Sequence, residues 1–147
     1  MSKSDCAVKC FNSGFNCSQA IFSTYCEQLG LDKETALKIS CSFGAGIGSM
    51  GETCGAVTGA FMLIGLKCGK YISDDTVSKE HTYKLINDFT AKFKDINGSI
   101  KCRDLLSCDI STAEGLKYAR EKGLWNTLCP KFVNDSAKII EEMLDLK

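Results

Sequence analysis

Cys17, Cys54, Cys102 and Cys129 are the residues on which chemistry in this chain would rest. Each falls at the start of a segment with helical periodicity. A helix N-terminus presents unpaired N–H groups and a partial positive charge. Both favour thiolate, the form of cysteine that attacks, oxidises or binds metal. Cys10, Cys26, Cys41, Cys68 and Cys108 fall near helix ends, and Cys6 lies inside the first helix. For these six the simpler expectation is a small buried hydrophobe.

The spacing of the first set is C-x36-C-x47-C-x26-C, with no CxxC and no CxxCH. That excludes thioredoxin-type and zinc-ribbon knuckles and covalent c-type haem. Four helix starts aimed at one point would make a positively polarised pocket. Such a pocket suits an anionic centre, namely an iron–sulfur cluster on four thiolates. It also suits two pairs of thiols cycling through disulfides. A structural four-thiolate zinc site ranks below both, for want of paired knuckles.

Ten cysteines in 147 residues would be a disulfide framework in a secreted domain. Here the opening Met1-Ser2-Lys3-Ser4-Asp5 has no apolar signal core, so a cytoplasmic location is expected, where metal or redox use of cysteine prevails. Eighteen basic and eighteen acidic residues cancel, so no field steers the chain to nucleic acid or anionic lipid. The longest apolar run, Ala56 to Leu66, is too short to span a membrane.

The elements that must position the cysteines all read as helices in one domain, residues 1–147, with six to eight helices and no strand-like alternation. A first helix covers Ser4 to Asn12. A second runs from Asn16 to Leu29 and ends before Gly30. A third follows an Asp32 cap and reaches Phe43. After a glycine-rich loop, 44–51, a fourth covers Glu52 to Cys68. It is apolar nearly all round, which predicts a buried central helix whose Gly55, Gly59 and Gly65 admit close neighbours. A long amphipathic helix spans Asp75 to Ile96, with Leu85, Phe89, Phe93 and Ile96 inward. Shorter ones cover Ser99 to Leu106 and Thr112 to Lys122, and the last begins at Cys129-Pro130.

The loop contains a literal GxGxxG at Gly46, Gly48 and Gly51, but the segment before it reads as helix, so no nucleotide is expected. The better expectation is a tight turn that brings amide N–H groups, Gly51 and Gly55 to the centre near Cys54. Thr58, one turn after Cys54, can donate to its sulfur or back-bond within the helix. Glu52 reads as a favourable charge in the first helical turn. His81 reads as solvated, and Trp125 with Leu124 and Leu128 as core or lid over the Cys129 helix start.

Gly14-Phe15-Asn16-Cys17-Ser18-Gln19-Ala20, Met50-Gly51-Glu52-Thr53-Cys54-Gly55-Ala56-Val57-Thr58-Gly59-Ala60, Cys102-Arg103-Asp104-Leu105-Leu106 and Cys129-Pro130-Lys131-Phe132-Val133 together resemble the C_GCAxxG_C_C family. Its members are small redox-active proteins with four cysteines and a CGAxxG motif. The resemblance runs from about Asp5 to Leu144, and its four cysteines fall on Cys17, Cys54, Cys102 and Cys129. Similar segments occur in a split-Soret diheme cytochrome with an inferred [2Fe–2S] site. The resemblance therefore implies a [2Fe–2S] centre here, without haem. Cys6, Cys10, Cys26, Cys41, Cys68 and Cys108 lie outside the family pattern. An electron carrier of this kind implies a redox partner protein, and a homodimer through the long helix is plausible.

Overall fold

The computed structural model describes all residues, 1–147, as an all-helical chain. The elements are α1 (Lys3–Asn12), α2 (Cys17–Tyr25, running on as a 3₁₀ turn over Cys26–Leu29), α3 (Lys33–Cys41), α4 (Gly44–Ile47), α5 (Gly55–Cys68), α6 (Thr76–Asn97), α7 (Cys102–Leu105), α8 (Ala113–Lys122), α9 (Leu124–Thr127) and α10 (Cys129–Leu144). The long ones start where polar caps direct. Ser2 and Asn16 form reciprocal capping boxes with Asp5 and Gln19. Asp32, Asp75 and Thr112 accept from the third helical N–H of α3, α6 and α8. No helix is long and apolar enough to cross a membrane.

Helix α5 is the hub, packed by α2, α6 and α10. Its first six residues, Gly55 to Ala60, are all buried. Two glycines let α2 lie against it backbone to backbone. A Cβ on Gly55 would fall 2.8 Å from the Ser18 nitrogen, and one on Gly59 would fall 2.8 Å from the Ser18 oxygen. Gly65 has nothing within 4 Å of its Cβ position, so the expected close neighbour exists at two of the three glycines. On the opposite side Ser136 donates to the Ala56 carbonyl at 2.7 Å and ties α10 to α5. An aromatic file, Phe61, Phe89, Phe93 and Phe132, fills the space between α5, α6 and α10 with centroids 6.0–6.5 Å apart.

Several boundaries differ from the sequence reading. Ile96 is 55% exposed because the buried face of α6 ends at Phe93. The segment read as a helix from Ser99 forms only one turn, Cys102–Leu105. Glu52 and Thr53 precede α5 instead of opening it. Thr53 pairs with Lys101 in an antiparallel bridge, the one piece of ladder pairing in the chain. Glu52 is therefore no first-turn dipole partner; its carboxylate accepts from Arg103 Nη2 at 2.5 Å.

The glycine-rich segment turns through the left-handed region. Ala45, Gly46, Ile47, Gly48, Ser49 and Gly51 all have φ between 54° and 69°. Such a conformation costs an L-residue roughly 1–2 kcal/mol, and three of these six are not glycine. Its own backbone bonds hold it: Glu52 N–H to Gly46 O at 2.9 Å, Ser49 N–H to Gly44 O and Gly51 N–H to Ala45 O, both at 3.4 Å. At Gly46 no side chain fits at all, because a Cβ would stand 2.6 Å from the Glu52 nitrogen and 2.7 Å from Cys102 Cβ.

Candidate redox site

Cys17 is the first residue of α2, Cys102 of α7 and Cys129 of α10, and Cys54 is the N-cap of α5. All four are buried, with 5–8% of their surface exposed. Separate devices place each one. Asn16 caps α2 and also donates its side-chain amide to the Cys41 carbonyl at 2.9 Å, anchoring the Cys17 helix start to the end of α3. Cys54 N–H donates to Ile100 O at 2.7 Å and Cys102 N–H to Glu52 O at 2.6 Å. This backbone pair flanks the Thr53–Lys101 bridge and sets α5 and α7 side by side. Pro130 starts α10 behind Cys129.

Arg103 locks this arrangement. Its Nε donates to Gly51 O at 3.1 Å, and its Nη2 donates to Met50 O at 3.2 Å and to the Glu52 carboxylate. It therefore clamps the left-handed turn onto α7 beside Cys102. Sequence reasoning passed over Arg103. The only available signal was a cation adjacent to a site cysteine, since its partners lie about fifty positions upstream.

The thiols act on one another. The neighbouring Cys129 and Cys54 thiols, and then burial, push the Cys17 pKa well up. The Cys17 hydrogen bond is the largest cause lowering the Cys54 pKa, with the Ala56 and Val57 N–H groups adding to it against burial. Burial above all, then the neighbouring Cys54 and Cys129, pushes Cys102 up to about 12. The expectation that every helix start yields a thiolate is thus corrected. Desolvation and like neighbours outweigh the dipole at Cys17 and Cys102. Cys54 is the one member of the set whose thiol is made more acidic, with the neighbouring Cys17 thiol as the largest cause.

The remaining predicted residues take other roles. Thr58 donates to the Gly55 carbonyl at 3.2 Å and the Ser18 hydroxyl at 3.4 Å, not to sulfur. Gly55 serves by close packing, 3.1 Å from Cys17 Cβ at its own Cβ position. Gly51 serves as an acceptor for Arg103, and the N–H groups that reach Cys54 come from α5 rather than from the glycine loop. His81 is exposed in the second turn of α6. Trp125 is half-buried against the core and borders the single cavity of the fold, which reaches Cys17 alone among the four. Of the other cysteines only Cys26 is buried; Cys41 is exposed and the rest are intermediate.

The donor set is all sulfur, which favours zinc and iron–sulfur chemistry. No three Cys, His, Asp or Glu side chains converge as ligands of one metal ion. Cys17 is the shared neighbour of Cys54 and Cys129, and Cys102 feels both of those through charge. Four cysteines are the protein donors that a [2Fe–2S] cluster takes, so the residue types present are compatible with one.

The model of the C_GCAxxG_C_C family, described as "Putative redox-active protein (C_GCAxxG_C_C)", matches residues 15–143. No characterised protein and no solved structure matches the chain. The match covers nearly the whole helical domain and all four buried helix-start cysteines, and the chain belongs to the redox-active C_GCAxxG_C_C family.

Proposed function

We propose that the protein is an electron carrier or redox sensor whose centre is a [2Fe–2S] cluster on Cys17, Cys54, Cys102 and Cys129. One observation carries this reading: four cysteines from four separate helix starts are buried in the same core. When bound, the cluster supplies one-electron chemistry. The chain supplies the rest. The partial positive charge at the starts of α2, α5 and α10 offsets the negative charge of ligating thiolates. The Ala56 and Val57 N–H groups at the start of α5 favour the thiolate form of Cys54 that a metal centre needs. The glycine contacts and the Arg103 clamp keep water out and fix the ligand spacing. Loading releases the protons that Cys17 and Cys102 hold.

A second reading, a metal-free dithiol–disulfide protein, is favoured by the neighbouring Cys17 and Cys54 thiols, of which Cys17 is made less acidic and Cys54 more acidic. Burial of both sulfurs weighs against it, because thiol exchange needs access for the attacking partner. Iron and acid-labile sulfide per chain, measured on protein purified without air, decide between them. About two of each supports the cluster. No iron after attempted reconstitution, with two or four thiols lost reversibly on mild oxidation, supports the dithiol reading.

A further inference from the structure

The cavity beside Cys17 has a chemistry that the four-cysteine centre does not explain. Its volume is about 530 Å³, within the range of small-molecule sites. Phe11, Phe15 and Trp125 give it aromatic surface, and no charged side chain lines it. Phe15, one of these walls, stays 39% exposed, so its ring face is open to a ligand. Polar groups come as amides. The Asn16 amide is taken up by Gln19 and Cys41, which leaves those of Asn12 and Asn126 facing the cavity for a ligand. The left-handed turn forms another wall through Gly44, Ala45, Gly48 and Ser49, so its strained backbone also shapes the cavity.

We propose that this cavity binds an uncharged, planar, carbonyl-bearing ring of the quinone class, seated against the Cys17 side of the site. The aromatic walls suit the ring faces, and amide N–H groups suit its carbonyl oxygens. The absence of lining cations selects against phosphorylated cofactors, whose charge would need arginine or lysine. The fit of a neutral ring stands on the cavity alone; its redox character rests on the proposed four-cysteine centre.

Duroquinone is a suitable probe, because its fully methylated ring resists thiol addition. Trp125 is the only tryptophan, so its fluorescence reports this cavity. Anaerobic titration of the whole protein is expected to quench it saturably, with one quinone per chain. Phe15→Ala should raise Kd about tenfold, and Asn12→Phe, which fills the cavity from an exposed position, should abolish saturation. Quenching that rises linearly without saturation, or saturable quenching untouched by both Phe15→Ala and Asn12→Phe, would overturn the assignment and leave the cluster reading standing. Saturable binding to a protein that takes up no iron would sink the cluster reading alone.

Discussion

Gly59 and Gly65 sit in the same helix, yet alanine should stabilise the protein only at Gly65. Both substitutions gain helix propensity, worth about 1 kcal/mol in a helix interior. At Gly65 nothing lies within 4 Å of the new methyl, so the gain stands and the variant is more stable than the parent. At Gly59 the methyl would meet Ser18 O at 2.8 Å and Ile21 Cβ at 2.9 Å. Neither is the far end of a flexible side chain, so α2 must shift as a body. Overpacking of this kind costs about 1–3 kcal/mol. That offsets or exceeds the propensity gain, and it is also the expected gap between the two variants. For a domain of this size 1 kcal/mol moves Tm by about 2–4 °C. Thermal unfolding followed by circular dichroism should therefore place Gly59→Ala about 2–12 °C below Gly65→Ala. Because α2 carries Cys17 and α5 carries Cys54, Gly59→Ala should also impair assembly of the centre, whereas Gly65→Ala should not. Equal melting temperatures would refute the claim that glycine at 59 sets the α2–α5 distance.

Further outcomes follow from the same geometry. With no metal bound, Cys102 keeps its proton in the folded state up to about 12 but loses it near 9 when unfolded, so its contribution is complete below pH 9. Denaturant midpoints of that form should fall as pH rises from 9 toward 12, and Cys102→Ala should flatten the slope. Arg103→Lys should not rescue Arg103→Ala, because one ammonium cannot reach Gly51 O, Met50 O and the Glu52 carboxylate in the same fork; faster alkylation of Cys102 in both variants is the readout. In the native parent, mass-resolved alkylation should label exposed Cys41 first and the four buried cysteines last. Tyr25→Phe removes a 2.5 Å hydrogen bond to Glu141 and should cost about 1.5–3 kcal/mol in urea unfolding.

Much of this architecture was legible in the residues. The caps at Asn16, Asp32 and Asp75, the apolar run of α5 and Pro130 behind Cys129 fix where helices begin. Three of those starts carry Cys17, Cys54 and Cys129, which the fold buries; Cys102 lies three residues inside the segment read as a helix from Ser99. What escaped was tertiary. The Thr53–Lys101 bridge is two residues long and has no periodicity to detect, yet it aligns Cys54 with Cys102. The left-handed turn includes Ala45, Ile47 and Ser49, residue types that carry no signal for positive φ. The split in thiol ionisation depends on burial and on neighbouring sulfurs, which helix position alone does not encode. The cavity beside Trp125 arises only where α1, α2, the turn and α9 meet.

The central claim is that Cys17, Cys54, Cys102 and Cys129 act as one ligand set, and a series of single serine replacements tests it most directly. Each of the four variants should be prepared without air beside Cys26→Ser and Cys68→Ser, and assayed for iron, acid-labile sulfide and sulfur-to-iron charge-transfer absorption. Each of the four is expected to lose or severely weaken the cluster while the two controls keep it. A normal cluster in any of the four, or its loss in a control, would contradict the assignment.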